Sequence, residues 1–192
     1  MDYLVYKKGL DEREIFEDRA DFELWEKLLS GYLVPYETET TIYKGLRPYR
    51  QRHKQAMNMY GKIELLAYCL MPTHIYMVVR ELEKGAVTSL MRKISTFYSM
   101  YYNQKHKRSG YVFEGSFKCQ EVKDVENTIR LVHQLPAAKT VKRFGMVQTT
   151  SGISASDYLY SSLKDYLGER ERKWVTPVGN AVKGTGEGKL PW

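Results

Sequence analysis

Residues 63–79 read Ile63-Glu-Leu-Leu-Ala-Tyr-Cys-Leu-Met-Pro-Thr-His-Ile-Tyr-Met-Val-Val79. Two apolar runs, 63–70 and 74–79, are split by Met71-Pro72-Thr73. Each run is short and rich in aliphatic and aromatic side chains, which favours a buried strand over a helix. Proline lacks a backbone donor and marks the turn between them. The stretch therefore predicts an antiparallel hairpin. The same interruption by Pro72, Thr73 and His74 leaves no apolar run long enough to cross a bilayer.

Working outward, Asp2 to Lys8 predicts a first strand and Gly9 to Phe16 a charged connection. Asp18 or Asp21 is placed to cap a helix running through Ser30, with Phe22, Leu24, Trp25, Leu28 and Leu29 on its apolar side. Downstream, Val87, Leu90, Met91, Ile94, Phe97, Tyr98, Tyr101 and Tyr102 recur at helical spacing and predict a long helix over about 88–105. A basic loop, 105–110, leads out of it. Phe117 to Val122 predicts a fourth strand. Asp124 caps a helix that ends near Leu135, because Pro136 discourages continuation. Ser161 to Leu167 predicts a short helix stopped by Gly168.

The order strand, helix, strand, strand, helix, strand, helix fits an α+β sandwich of ferredoxin-like type, an antiparallel sheet with helices packed on one face. One domain is expected over 1–174, with an extended segment at about 35–60. The Gly-rich residues 175–192 offer little to bury and predict a disordered tail.

The 192 residues carry a formal net charge of +7, which favours an anionic partner such as nucleic acid. The 16 Tyr, 6 Phe and 3 Trp suit base stacking as well as a core. The two cysteines, Cys69 and Cys119, form no metal-binding pair, and Cys69 reads as a buried free thiol. Asp2, Lys7, Lys8 and Asp11 interrupt the N-terminus, so no secretory leader is expected and the location is expected to be cytoplasmic.

Several motifs, in order, carry a resemblance. Tyr68 to Val79 resembles the signature strand of HUH single-tyrosine transposases, which reads Met-Pro-Asn-His-hydrophobic-His. Asn103-Gln-Lys-His-Lys-Arg-Ser-Gly110 resembles the Asn-basic-basic-His-x-Arg-Ser-Gly of the REP-associated tyrosine transposase family. Phe113-Glu-Gly-Ser-Phe-Lys118 resembles its Phe-Gln-Gly-Arg-Phe-Lys, and Tyr160 to Gly168 its closing Ser-Ser segment. The likeness spans about 3–174.

The resemblance implies a particular chemistry. Two His on alternate residues of one strand share a face and bind a divalent ion with an Asn. A Tyr attacks the scissile phosphate and holds the DNA covalently. In this sequence the first His position is His74 and the second is Tyr76. The nucleophile position is Leu131 and the Asn position is Leu135, while His133 matches a family histidine that is not a ligand. The resemblance thus implies a vestigial centre with most of its chemistry removed, and no cofactor is expected. Magnesium or manganese would be needed if the protein were active.

Three functions follow from the residues taken with what the resemblance implies. The first is a protein that binds hairpin or single-stranded DNA without cutting it, through Arg50, Arg52, Lys54, Lys105, Lys107, Arg108 and Lys118. The second is an active metal-dependent DNA transposase with a relocated nucleophile, Tyr98 or Tyr102, that forms a phosphotyrosine intermediate. The third is a protein-interaction domain. Tyr98, Tyr101 and Tyr102 at helical spacing also read as core. Glu114 and Ser116 stand where the family has Gln and Arg, which weakens the expected grip on DNA. A membrane partner is not expected, and a homodimer is left open.

Overall fold

The computed structural model describes residues 1–35, 58–137, 154–179 and 181, together with the backbone of 141–143 and 146–148. In chain order the elements are β1 (Asp2–Lys8), α1 (Arg19–Leu33), β2 (Ile63–Met71), β3 (His74–Glu81), α2 (Ala86–Lys105), β4 (Lys118–Glu121), α3 (Val125–Gln134), β5 (Val141–Arg143), β6 (Met146–Gln148) and α4 (Leu163–Tyr166). The expected strands and helices are present within a few residues of their predicted ends. The short β5–β6 pair was not anticipated.

β2 and β3 form the hairpin that the sequence predicts. Met71 pairs with His74, so Pro72 and Thr73 alone make the turn. The Pro72 carbonyl accepts from the Ile15 and Phe16 amides, and the Thr73 carbonyl from the Gly9 amide. The loop after β1 therefore clasps the hairpin tip. Gly9 is needed there, because a Cβ would stand 2.2 Å from the Arg13 carbonyl oxygen.

The main sheet has the order β2-β3-β1-β4, with β3 and β1 central and every pair antiparallel. This is the split βαβ arrangement of a ferredoxin-like fold, and the α+β expectation holds. Asp18 caps α1 through the Asp21 amide, and the Asp21 carboxylate returns to the Asp18 amide. The two orphan amides of the first turn are thereby satisfied reciprocally.

The expectation of helices on one face is corrected. α1 and α2 do share a face, where Trp25, Leu29, Leu90, Ile94 and Tyr98 pack against Val5, Ile75, Met77 and Val79. α3 lies on the opposite face, where Ile129, Val132 and Leu135 pack against Leu4, Cys69, Tyr76 and Val78. β2 and β3 are therefore buried on both sides, which is why their sequences run apolar without alternation.

The C-terminal region closes the β2 edge. The Leu70 amide donates to the Tyr160 carbonyl and the Ser162 amide to the Tyr68 carbonyl, so 160–162 extends the sheet. Edge pairing of this kind removes a row of unpaired backbone groups. The expected disordered tail is corrected at its start. Val175 and Ala181 are buried, and the Thr176 amide donates to the Leu65 carbonyl. Residues 182–192 lie outside the described residues. So does the basic cluster Arg47, Arg50, Arg52, His53 and Lys54.

Candidate nucleic-acid interface

The strand register assembles the centre that the motifs point to. Cross-strand partners share a sheet face. Cys69 pairs with Tyr76, Tyr76 with Tyr6, and Tyr6 with Lys118, giving one row across all four strands. In the adjoining row Met71 pairs with His74, and His74 with Lys8. His74 and Tyr76 thus face α3, as the alternation along β3 requires.

The side chains there pack as a ring cluster. Tyr6 stacks on His74 with centroids 5.5 Å apart, and His74 on Tyr76 at 6.4 Å. Both tyrosines and His74 are buried. Leu135, in the turn that follows α3, is buried in the same apolar cluster as Tyr76 and Tyr6. Leu131 is half-buried one helical turn earlier.

The two ligand positions and the Asn position do come together, but not as a donor set. A leucine offers no lone pair. A neutral phenol is a poor ligand, with a reference pKa of about 10. One imidazole falls short of what magnesium demands, near-ideal octahedral coordination dominated by oxygen. The residues at these positions do not fit a divalent ion. Among the described residues, no three His, Cys, Asp or Glu side chains gather into a metal-binding group.

His133 sits behind this centre. It is buried, with Nε2 2.8 Å from Ser162 Oγ and its ring edge-on to Tyr166. Ser162 Oγ in turn accepts from the Tyr68 amide. Burial pushes the His133 pKa down to about 3, so it stays neutral at physiological pH. It ties the closing segment to α3 and β2.

Tyr98 and Tyr102 lie on the other face of the sheet, within the α1–α2 core. The Tyr98 hydroxyl donates to the Ile15 carbonyl, and burial pushes its pKa well above the ordinary tyrosine value. The Tyr102 hydroxyl meets the Glu14 carbonyl at 3.0 Å and Glu17 Oε1 at 2.8 Å. Burial and the Glu17 carboxylate raise its pKa to about 12. The sheet separates both hydroxyls from His74.

The basic residues divide by environment. Lys105 lies at the surface but is ion-paired, with Nζ 2.8 Å from Asp18 Oδ2 and 2.7 Å from Asp21 Oδ1. Burial opposes its charge, but these two bonds outweigh it and hold its pKa above the ordinary value. This pairing fixes the start of α1 to the end of α2 and engages the charge of a residue expected in the DNA-binding set. Arg108 braces the exit loop, donating to the Tyr111 carbonyl at 3.2 Å with its guanidinium over the Tyr102 ring. Lys107 and Lys118 are exposed, and Lys118 shares the sheet face of Tyr6 and Tyr76. Lys8, on the same face, pairs with Glu114 at 2.6 Å.

Motif matching missed Tyr6 and Lys8. The signal available was the alternation Leu4, Tyr6, Lys8 along β1, which puts all three on one face. Choosing which face needed the register.

The family model described as "Transposase IS200 like" matches residues 34–134. No curated protein matches the chain. Among solved structures, a REP-associated tyrosine transposase bound to a REP hairpin is similar at a TM-score of 0.47 and 10% identity, covering 98% of this chain and 92% of that one.

Proposed function

Since the chain belongs to the IS200-like transposase family, we propose that it binds single-stranded or hairpin DNA and does not cut it. One observation carries this reading. Tyr76 and Leu135, at two positions where the resemblance implies metal ligands, are buried together in an apolar cluster. A transposase centre needs a polarised phosphate and an aligned nucleophile. Here the resemblance puts Leu131 at the nucleophile position, and a leucine supplies no attacking oxygen. The buried, hydrogen-bonded hydroxyls of Tyr98 and Tyr102 support a core role for those residues.

The family membership, the net charge of +7 and the exposed Lys107 and Lys118 support retention of a nucleic-acid surface. Lys107 and Lys118 neutralise phosphates in this reading, and Arg108 holds the loop that presents Lys107. A cytoplasmic location fits this reading.

The test is a binding series on a labelled DNA hairpin with an unpaired flank. Affinity should fall linearly in log–log salt, by about 0.7 per phosphate neutralised. Replacing Lys107 and Lys118 with Gln should flatten that slope. Absence of binding at low salt would instead favour a protein-interaction domain.

A further inference from the structure

We propose that Tyr111 is the platform on which one unpaired nucleobase stacks; this rests on the nucleic-acid reading above. Tyr111 is 83% exposed, more than any other large hydrophobic side chain among the described residues. Its neighbours Val112 and Phe113 are 1% and 6% exposed. The chain is thus anchored in the core immediately after a ring that stands in water.

The backbone around that ring is pinned on both sides. Asn103 Nδ2 donates to the Gly110 carbonyl at 2.9 Å. Arg108 Nη2 donates to the Tyr111 carbonyl at 3.2 Å, and the Leu10 amide to the Val112 carbonyl at 2.9 Å. A ring carried on a fixed backbone loses little freedom when it is covered, so stacking on it is favoured over stacking on a floppy loop.

The surroundings select the occupant. Lys107 is exposed four residues before the ring, and Arg108 lies between them. On the same loop the carboxylate of Glu114 is engaged by Lys8 at 2.6 Å, which offsets its repulsion of a phosphate. An exposed aromatic with an exposed lysine four residues before it on the same pinned loop matches a base with its phosphate. Stacking of this kind is tolerant of base identity, since every base has a π-face. A paired base inside a duplex offers no free face, so the preferred ligand is the unpaired flank or loop of a hairpin.

The experiment uses the full chain and a DNA hairpin with a single-stranded flank. 2-Aminopurine is placed at successive unpaired positions. Fluorescence should be quenched on binding at one position or two adjacent ones. Tyr111→Ala should remove that quench and weaken binding roughly tenfold, the range expected for one stacked base. Tyr111→Trp should keep both. The salt slope should be unchanged by Tyr111→Ala, because no phosphate contact is lost. If the unmodified chain binds and Tyr111→Ala binds equally well with the same quench, stacking is overturned while the nucleic-acid reading stands. If the unmodified chain fails to bind at low salt, both fall together.

Discussion

Tyr6 and Tyr76 stand directly opposite each other on the two central strands, with ring centroids 5.1 Å apart. Their partner in the cluster is His74, and the buried surface continues into Leu4, Val78 and Leu135. Aromatic contacts of this geometry add about 0.5–1.5 kcal/mol beyond area burial. The face on which the resemblance implies a metal has thus become part of the core.

Returning a single ligand should therefore damage packing and recover nothing. Leu135→Asn puts an amide into an apolar cluster and should cost about 2–4 kcal/mol in urea unfolding. Neither it nor Tyr76→His should make the melting temperature rise with manganese, because a ligand stabilises only by binding the native state. A manganese-dependent rise in the unmodified protein, abolished by His74→Ala, would mean that a working site is present.

Tyr98→Phe tests the core role of the α2 tyrosines. The Ile15 carbonyl loses its donor. The expected loss is about 1–2 kcal/mol of stability, with DNA affinity and salt slope unchanged. Calorimetry and filter binding on the same preparation check both halves.

Lys105 and Lys107, two residues apart, should behave oppositely. Lys105→Gln leaves the fully buried Asp21 carboxylate without its cation and should cost about 1–3 kcal/mol of stability. Lys107→Gln should leave stability within about 0.5 kcal/mol of the parent and weaken DNA binding. Equal effects of the two on binding would place Lys105 at the nucleic-acid surface.

His133 predicts an acid-sensitive step. Its pKa is about 3 in the folded chain against an ordinary value of 6.5. Between these values the unfolded chain binds a proton that the folded chain refuses. Stability is therefore full above about pH 6.5 and declines as pH falls toward 3, by up to about 1.4 kcal/mol per unit. His133→Gln should be less stable at pH 7 but flatter across that window in urea denaturation.

Much of this fold was legible because the hairpin residues carry a strong local signal. Pro72 breaks an apolar run, and Asp18 and Asp124 cap helices as their side chains dictate. The two-sided burial was also written in β2 and β3, whose runs lack polar alternation, but it could not say which helix covers which face. The partners of Lys105 could not be read locally, since Asp18 and Asp21 lie 87 and 84 residues away. The burial of Val175 and Ala181 was hidden for a related reason: a few small contacts on a distant face leave no periodic pattern. At the site, the motifs located His74, Tyr76, Leu131 and Leu135, whereas Tyr6 entered only through its pairing with Tyr76.

The most direct measurement incubates a labelled single-stranded hairpin with the unmodified protein and manganese, then separates the products under denaturing conditions. The expected result is a shifted complex on a native gel and only free, uncut DNA on the denaturing one. A denaturation-resistant adduct would contradict the account, and its loss in Tyr98→Phe or Tyr102→Phe would identify a nucleophile on the opposite face of the sheet.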